Sequence, residues 1–78
     1  MEEQKIKQDS ICIGKNIREL RLQRKMRQTQ MVALLQLEGV SITRETLVKI
    51  ERGIQHVYAS QLRAIRDVLQ TTYDELLK

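Results

Sequence analysis

The sequence predicts an all-α fold, a compact domain of five helices joined by short connections. Apolar residues recur at three- and four-residue spacing, there is no proline, and the three glycines lie far apart, where they can separate helices. A chain of 78 residues is enough for one small domain, whose core is marginal but feasible without disulfides. We therefore expect a flexible N-terminal arm over residues 1–10 and one helical domain over residues 11–78.

The first two helices follow from their apolar stripes. Helix 1 is expected from about residue 15 to 25 and helix 2 from about residue 28 to 37. Gly39 marks the end of helix 2, because glycine readily takes the left-handed conformation that closes a helix. The inward residues predicted for these helices are Ile13, Ile17, Leu20, Met31, Leu34 and Leu35.

Helix 3, expected over about residues 43–52, opens at Thr43, a residue type favoured as an N-cap. Ile42 precedes that cap and Leu47 lies four positions inside the helix, so the two are placed to form a hydrophobic staple. Gly53 marks the end of the helix. The predicted inward residues are Leu47, Ile50 and Ile54.

Helices 4 and 5 complete the predicted fold. Helix 4 is expected from about residue 59 to 69, and helix 5 is brief. Thr72 and Glu75 form a capping-box pattern ahead of Leu76 and Leu77. The inward residues predicted for helix 4 are Leu62, Ile65, Val68 and Leu69.

Glu51 is a charged residue on the inward side of helix 3, since it lies about 40° from Leu47 at about 100° per residue. An acid at the edge of a core is costly unless it is paired. Arg21 lies in the same way beside the stripe of helix 1, so we expect an Arg21–Glu51 ion pair, with Arg24 as the competing partner. The alternative, a catalytic Glu51, lacks a nearby second carboxylate, metal ligand or nucleophile, and we expect no enzyme.

The outward side of helix 3 is charged, and two explanations compete for it. It is either a solvated face with a Glu45–Lys49 pair at i,i+4 spacing, or a surface that lies in the major groove of DNA. In the groove, Arg44 or Lys49 can donate to guanine and Glu45 can accept from cytosine. The residues on this side are Arg44, Glu45, Val48, Lys49 and Arg52.

The charge distribution favours a polyanionic partner. The net charge is +4, and residues 15–27 hold six cations against one acid, Glu19. Such a segment suits phosphate, because binding releases counterions, although a solvated helix face is the alternative. Only two aromatic residues occur, which argues against a single-strand binder that stacks bases on rings.

Other classes of site and location find little support in the sequence. A single cysteine, Cys12, and a lone His56 leave no disulfide and no metal cluster. No apolar run approaches the ~20 residues of a membrane span, and the N-terminus has no signal-peptide core. We expect a cytoplasmic protein without metal, cofactor or membrane partner.

The ordered elements "IRELR", "GVSITRETLVKIERG" and "YDELL" resemble the lambda-repressor-like helix-turn-helix family, also called the Cro or XRE type, over about residues 13–77. The resemblance implies five helices, with helix 3 as the recognition helix, and the same pairing of Arg21 with Glu51. It implies phosphate contacts for Gln28 and Arg52. The base- and phosphate-contacting positions of its recognition helix correspond to Thr43, Arg44, Glu45 and Lys49.

The chain departs from the family pattern in three places. The turn "EGVSI" is longer than the usual three or four residues, which affects the angle between helices 2 and 3. Val32, with Ala33 beside it, replaces the usual small residue of helix 2. Arg27 stands where the family has a Ser or Thr cap, so that cap is weaker.

Together these observations predict sequence-specific binding of double-stranded DNA by a transcriptional regulator of the repressor type. Lys15, Arg18 and Arg27 are further candidates for binding phosphate. One helix reads few base pairs, so we expect a homodimer on a palindromic operator, with half-sites about 34 Å apart or a multiple of it. Helix 5 and the "SICI" segment are candidate dimer surfaces. The alternatives are an antitoxin or other module whose main partner is a protein, and a nonspecific nucleic-acid binder.

Overall fold

A computed structural model describes residues 5–8 and 10–78 of the chain. The described residues form a mostly helical domain, in agreement with the predicted all-α class, with one very short sheet in addition. Within residues 5–8 and 10–78, no helix approaches the ~20 residues of a membrane span, since the two longest have 11 residues each. The elements are β1 (Lys5–Ile6), α1 (Ile13–Gln23), α2 (Gln28–Leu37), α3 (Arg44–Glu51), β2 (Val57–Tyr58), α4 (Ala59–Leu69) and α5 (Tyr73–Leu76).

The helices enclose a single core. α1 packs on α3, α4 and α5, and α2 packs on α3 and α4. Because α2 contacts two helices, its buried side includes Val32, whereas Leu34, predicted to face inward, is 40% exposed. Ile42 and Leu47, the predicted staple, both lie in the core. The largest fully buried residues are Ile13, Ile17, Met31, Leu35, Leu47, Ile50, Val57, Ile65, Leu69 and Leu76.

Each of the first four helices ends in a residue with positive φ, at Lys25, Gly39, Gly53 and Gln70. The backbone hydrogen bonds around these residues follow the Schellman pattern. After α3, for example, the Ile54 N–H donates to the Lys49 carbonyl at 3.1 Å. This turn removes Ile54 from the helical periodicity, so it is 64% exposed and not inward as predicted.

Part of the N-terminal segment is attached to the domain. Lys5 pairs with Tyr58 and Ile6 with Val57 in an antiparallel two-stranded sheet, and Ile6 packs against the core. The expected flexible arm over residues 1–10 therefore does not describe residues 5–8. Residues 1–4 and 9 of that segment lie outside the described residues.

Two helices without a conventional N-cap side chain are capped from inside their first turn. Gln30 accepts from the Arg27 N–H, and Gln61 accepts from the Tyr58 N–H, each at 2.8 Å. Each contact is one half of a capping box, supplied by the third helical residue. The weak cap expected at Arg27 is supported in this way.

α5 closes the core at the C-terminal end. Thr72 accepts from the Glu75 N–H at 3.2 Å, one half of the predicted capping box, while the Glu75 carboxylate pairs with Lys78. Asn16 of α1 donates to the Leu76 and Lys78 carbonyls at 2.8 and 3.1 Å. The Leu76 side chain is fully buried, so it belongs to the core and is not available as a dimer contact.

Lys25→Gly is expected to raise the free energy of unfolding by about 0.5–1 kcal/mol, because Lys25 closes α1 with a φ of 53° that glycine adopts without strain. Lys25→Ala removes the same charge but keeps the Cβ atom, and is the matched control. Urea denaturation measures both variants. A glycine variant no more stable than the alanine variant contradicts the argument.

Candidate nucleic-acid interface

Glu51 of α3 accepts three hydrogen bonds from two other helices. Arg21 donates from Nε at 2.7 Å and from Nη2 at 3.0 Å, and Gln28 donates from Nε2 at 3.1 Å. The side chains of Arg21 and Glu51 are 9% and 2% exposed. The predicted ion pair is therefore present, with the bidentate geometry that makes such contacts strong and directional.

Arg24, the competing partner expected for Glu51, instead binds the C-terminal end of α4. Its guanidinium donates through Nε to the Leu69 carbonyl and through Nη2 to the Gln70 carbonyl, at the C-terminus of α4. A cation is favoured there, because the last carbonyls of a helix lack intrahelical donors and carry partial negative charge. Arg21 of α1 thus holds α3, and Arg24, the residue just after α1, holds α4.

The outer side of α3 is open to solvent. Arg44, Glu45, Lys49 and Arg52 are exposed, and their side chains form no hydrogen bond or ion pair within residues 5–8 and 10–78. Glu45 and Lys49, both described, are not paired with each other. The explanation of this face as a surface held by that i,i+4 pair therefore has no support in the structure.

Thr43 and Gln28, two predicted phosphate ligands, already have partners inside the domain. The Thr43 hydroxyl accepts from the Thr46 N–H at 3.2 Å, so it serves as the expected cap, and lies 3.1 Å from the Thr46 hydroxyl. Gln28 uses one amide hydrogen on Glu51, which leaves the second available to an anion. Capping therefore limits what Thr43 can offer a phosphate, whereas Gln28 retains a donor.

A first open depression collects cations at the N-terminal end of α3. Its volume is about 430 Å³, and the first turn of α2 opens into it. Arg21 is neutralised here by Glu51, whereas the guanidinium groups of Arg18, Arg27 and Arg44 have no partner among the described residues. Helix N-termini also favour anions. The lining residues are Arg18, Arg21, Arg27, Gln28, Thr29 and Arg44.

A second depression, of about 200 Å³, lies at the C-terminal end of α3. It brings together Lys15 of α1 and Arg52, which are 37 positions apart in the chain (52 minus 15) and were predicted separately as phosphate ligands. Glu51 lines it as well, so the Arg21–Glu51 pair lies between the two depressions. Gln8, Cys12 and Gly53 complete the lining.

Acidic side chains concentrate on another part of the domain. Asp67 lies on α4, and Asp74 and Glu75 lie on α5. Glu38 and Asp67 line a third depression, of about 510 Å³, between the end of α2 and α4. Cations accompany these acids, since Arg66 pairs with Asp67 and Lys78 pairs with Glu75.

The sequence did not single out several side chains that hold helix ends, among them Gln8, Asn16, Gln30 and Gln61. Gln30 and Gln61 could have been found from their spacing, since each lies three residues after an N-cap position whose own side chain is not a usual cap. For Gln8, the only local sign is an isolated apolar residue, Ile6, in a polar segment. Within the described part of the chain, no group of three or more His, Cys, Asp or Glu residues is placed to hold a metal ion.

Comparison of the chain with protein-family models, with curated proteins and with solved structures finds no match. The resemblance to the lambda-repressor-like family therefore depends on the sequence elements themselves. The structure itself shows an exposed charged side of α3, with a depression lined by cations at each end.

Glu51→Ala is expected to lower the free energy of unfolding by about 3–5 kcal/mol, because it leaves the buried guanidinium of Arg21 without a counter-charge. Arg21→Met combined with Glu51→Leu should recover most of this loss, since two apolar side chains need no partner. Thermal and urea unfolding measure both. Equal stability of Glu51→Ala and the unaltered protein would contradict the role assigned to the pair.

Proposed function

We propose that this protein binds double-stranded DNA sequence-specifically and acts as a transcriptional regulator of the lambda-repressor-like type, with α3 in the major groove. The observation that carries the proposal is the outer side of α3, where donors and an acceptor are exposed and have no partner in the described part of the chain. The cationic depression at each end of the helix supports it. Phosphates flank the major groove on both sides, so cations at both ends of a reading helix suit a duplex.

The size of α3 matches the groove. Eight residues give a helix about 12 Å long, close to the ~12 Å width of the major groove. Arg44 and Lys49 can donate to the O6 and N7 acceptors of guanine, and Glu45 can accept from the amino group of cytosine. An acid at this surface favours specificity, because it repels phosphate wherever no base donor meets it.

The two depressions supply the contacts with the DNA backbone. Arg18, Arg27 and Gln28 bind phosphates near the start of α3, and Lys15 and Arg52 bind them past its end. These contacts fix the register and contribute most of the affinity, whereas Arg44, Glu45 and Lys49 contribute the base preference.

A homodimer on a palindromic operator is part of the proposal. The backbone of the domain spans 28 × 27 × 22 Å, comparable to the ~34 Å between half-sites one helical turn apart. Two copies on one face of a duplex therefore lie close to each other. Leu76 is buried, so the predicted dimer surfaces retain Ile11 of the "SICI" segment, 39% exposed, and Tyr73 of α5, 38% exposed, with Leu77 partly buried beside it.

A protein-interaction role, such as that of an antitoxin, is the second candidate. The observation in its favour is on α2, where Leu34 and Leu37 lie three residues apart and are 40% and 84% exposed. An antitoxin of this type also binds DNA, so a protein that co-purifies with the chain is the observation that favours this candidate. Selection of bound duplexes from a random pool by the purified chain tests the DNA reading itself. A palindromic motif supports DNA reading by a dimer, whereas no enrichment contradicts the proposed function.

Arg44→Ala and Lys49→Ala are each expected to cost about 1–3 kcal/mol of binding free energy on the selected duplex and little on random DNA, because they remove base contacts. Fluorescence anisotropy on both duplexes measures this. Arg63→Ala removes an exposed cation of α4, outside the proposed interface, and is the control for net charge. Equal losses on both duplexes would refute base reading by these residues.

Glu45→Ala is expected to change the preferred base at one position of each half-site, because the acceptor for cytosine is lost. Repeating the selection with this variant measures the preference directly. A nonspecific binder behaves differently: loss of an acid from its surface tightens binding to every sequence alike. A motif unchanged at all positions contradicts the role of Glu45.

A further inference from the structure

The side-chain amide of Gln8 contacts three backbone groups from separate parts of the fold. Its Oε1 accepts from the Gly14 N–H at 2.7 Å, and its Nε2 donates to the carbonyls of Ile50 at 3.2 Å and Gln55 at 2.8 Å. One acceptor and both amide hydrogens are thus used. The opposite orientation of the amide would set its oxygen against two carbonyls, so this network defines the orientation.

Gln8 caps the N-terminus of α1, which its own N-cap residue does not do. The N-cap of α1 is Cys12, which makes no side-chain cap hydrogen bond, and Gly14 is the second residue of the helix. A cap normally accepts from the second or third N–H, and Gln8 accepts from the second, although it lies outside the helix. The same side chain binds a carbonyl in the last turn of α3. One residue therefore joins the start of α1 to the end of α3.

The two helix ends that Gln8 joins are in direct backbone contact. A Cβ atom at Gly14 would lie 1.8 Å from the Ile50 carbonyl oxygen, so α1 approaches α3 as closely as glycine permits. Pairing of Ile6 with Val57 holds the Gln8 segment in place. The Gln8 N–H also donates to Nδ1 of His56 at 3.2 Å.

This junction lies beside two of the proposed phosphate ligands. Gln8, Lys15 and Arg52 line the same depression, with Lys15 one residue after Gly14 and Arg52 two residues after Ile50. The separation of the two cations is thus set by how the start of α1 meets the end of α3.

We propose that Gln8 is a positioning residue for DNA binding, which holds Lys15 and Arg52 at the spacing needed to bind the backbone of one DNA strand together. This role depends on the proposed function of the protein. Gln8 itself does not touch DNA in this arrangement. It acts by preorganising the two cations, which lowers the entropic cost of fixing them at the moment of binding.

Gln8→Ala is expected to weaken binding of the full chain to its selected duplex about 5- to 20-fold. The slope of log Kd against log salt concentration should fall by about one, because one phosphate contact is no longer made. Gln23→Ala, at an exposed glutamine of α1 with no partner among the described residues, is the matched control and should change neither quantity.

A double-mutant cycle separates positioning from a general loss of stability. In a Lys15→Ala/Arg52→Ala background, Gln8→Ala should lower the affinity for the selected duplex little further. In a Lys49→Ala background, Gln8→Ala should lower that affinity by the same factor as in the unaltered protein. A merely structural role lowers affinity alike in every background. Amide exchange at Gly53 and Ile54, which close α3, should accelerate in Gln8→Ala while the core amides stay protected.

Failure of this proposal can be told apart from failure of the proposed function. An unaltered protein that selects no duplex overturns both. An unaltered protein that binds its duplex, while Gln8→Ala binds it equally well with the same salt slope, overturns the role of Gln8 alone. A Gln8→Ala variant that loses protection throughout the core assigns the residue to stability and also overturns the positioning role.

Discussion

The carboxylate of Glu51 is where three helices meet, because it accepts from Arg21 of α1 and Gln28 of α2 while it belongs to α3. The Glu51 side chain is 2% exposed, and burying a carboxylate away from water is costly. The bidentate arginine and the glutamine amide offset that cost. The contact therefore specifies one arrangement of the helices more than it adds stability. With α3 held in this way, its remaining charged residues can only face outward.

The charged side chains on the outward side of α3 form no ion pairs or hydrogen bonds with the described part of the domain. Four charged side chains, those of Arg44, Glu45, Lys49 and Arg52, have no partner among the described residues. Surface ion pairs contribute little to stability, so leaving them unformed costs the fold little. The same groups keep their full hydrogen-bonding capacity for an external partner, and the depressions at both ends of α3 add cations of the same kind.

Helix ends recur as the points where polar side chains join one element to another. Arg24 binds the carbonyls that end α4, Asn16 binds those that end α5, and Gln8 binds one in the last turn of α3. In a domain with so small a core, contacts of this kind satisfy backbone groups that a helix cannot satisfy itself. They also fix the relative positions of the helices, because each joins the end of one helix to a distant segment of the chain.

The sequence by itself determined the features that depend on neighbours within a turn or two. The bounds of α2 and α4 and the inward position of Glu51 follow from helical periodicity, and the caps at Thr43 and Thr72 follow from the residue types favoured at helix N-termini. Only the tertiary structure decided that Val32 and not Leu34 is buried, and that Gln8 is hydrogen-bonded to Ile50, 42 positions away. Contacts across such separations depend on which helices pack against each other. The periodicity of the local sequence shows that a helix has a buried side, but it does not show what that side packs against.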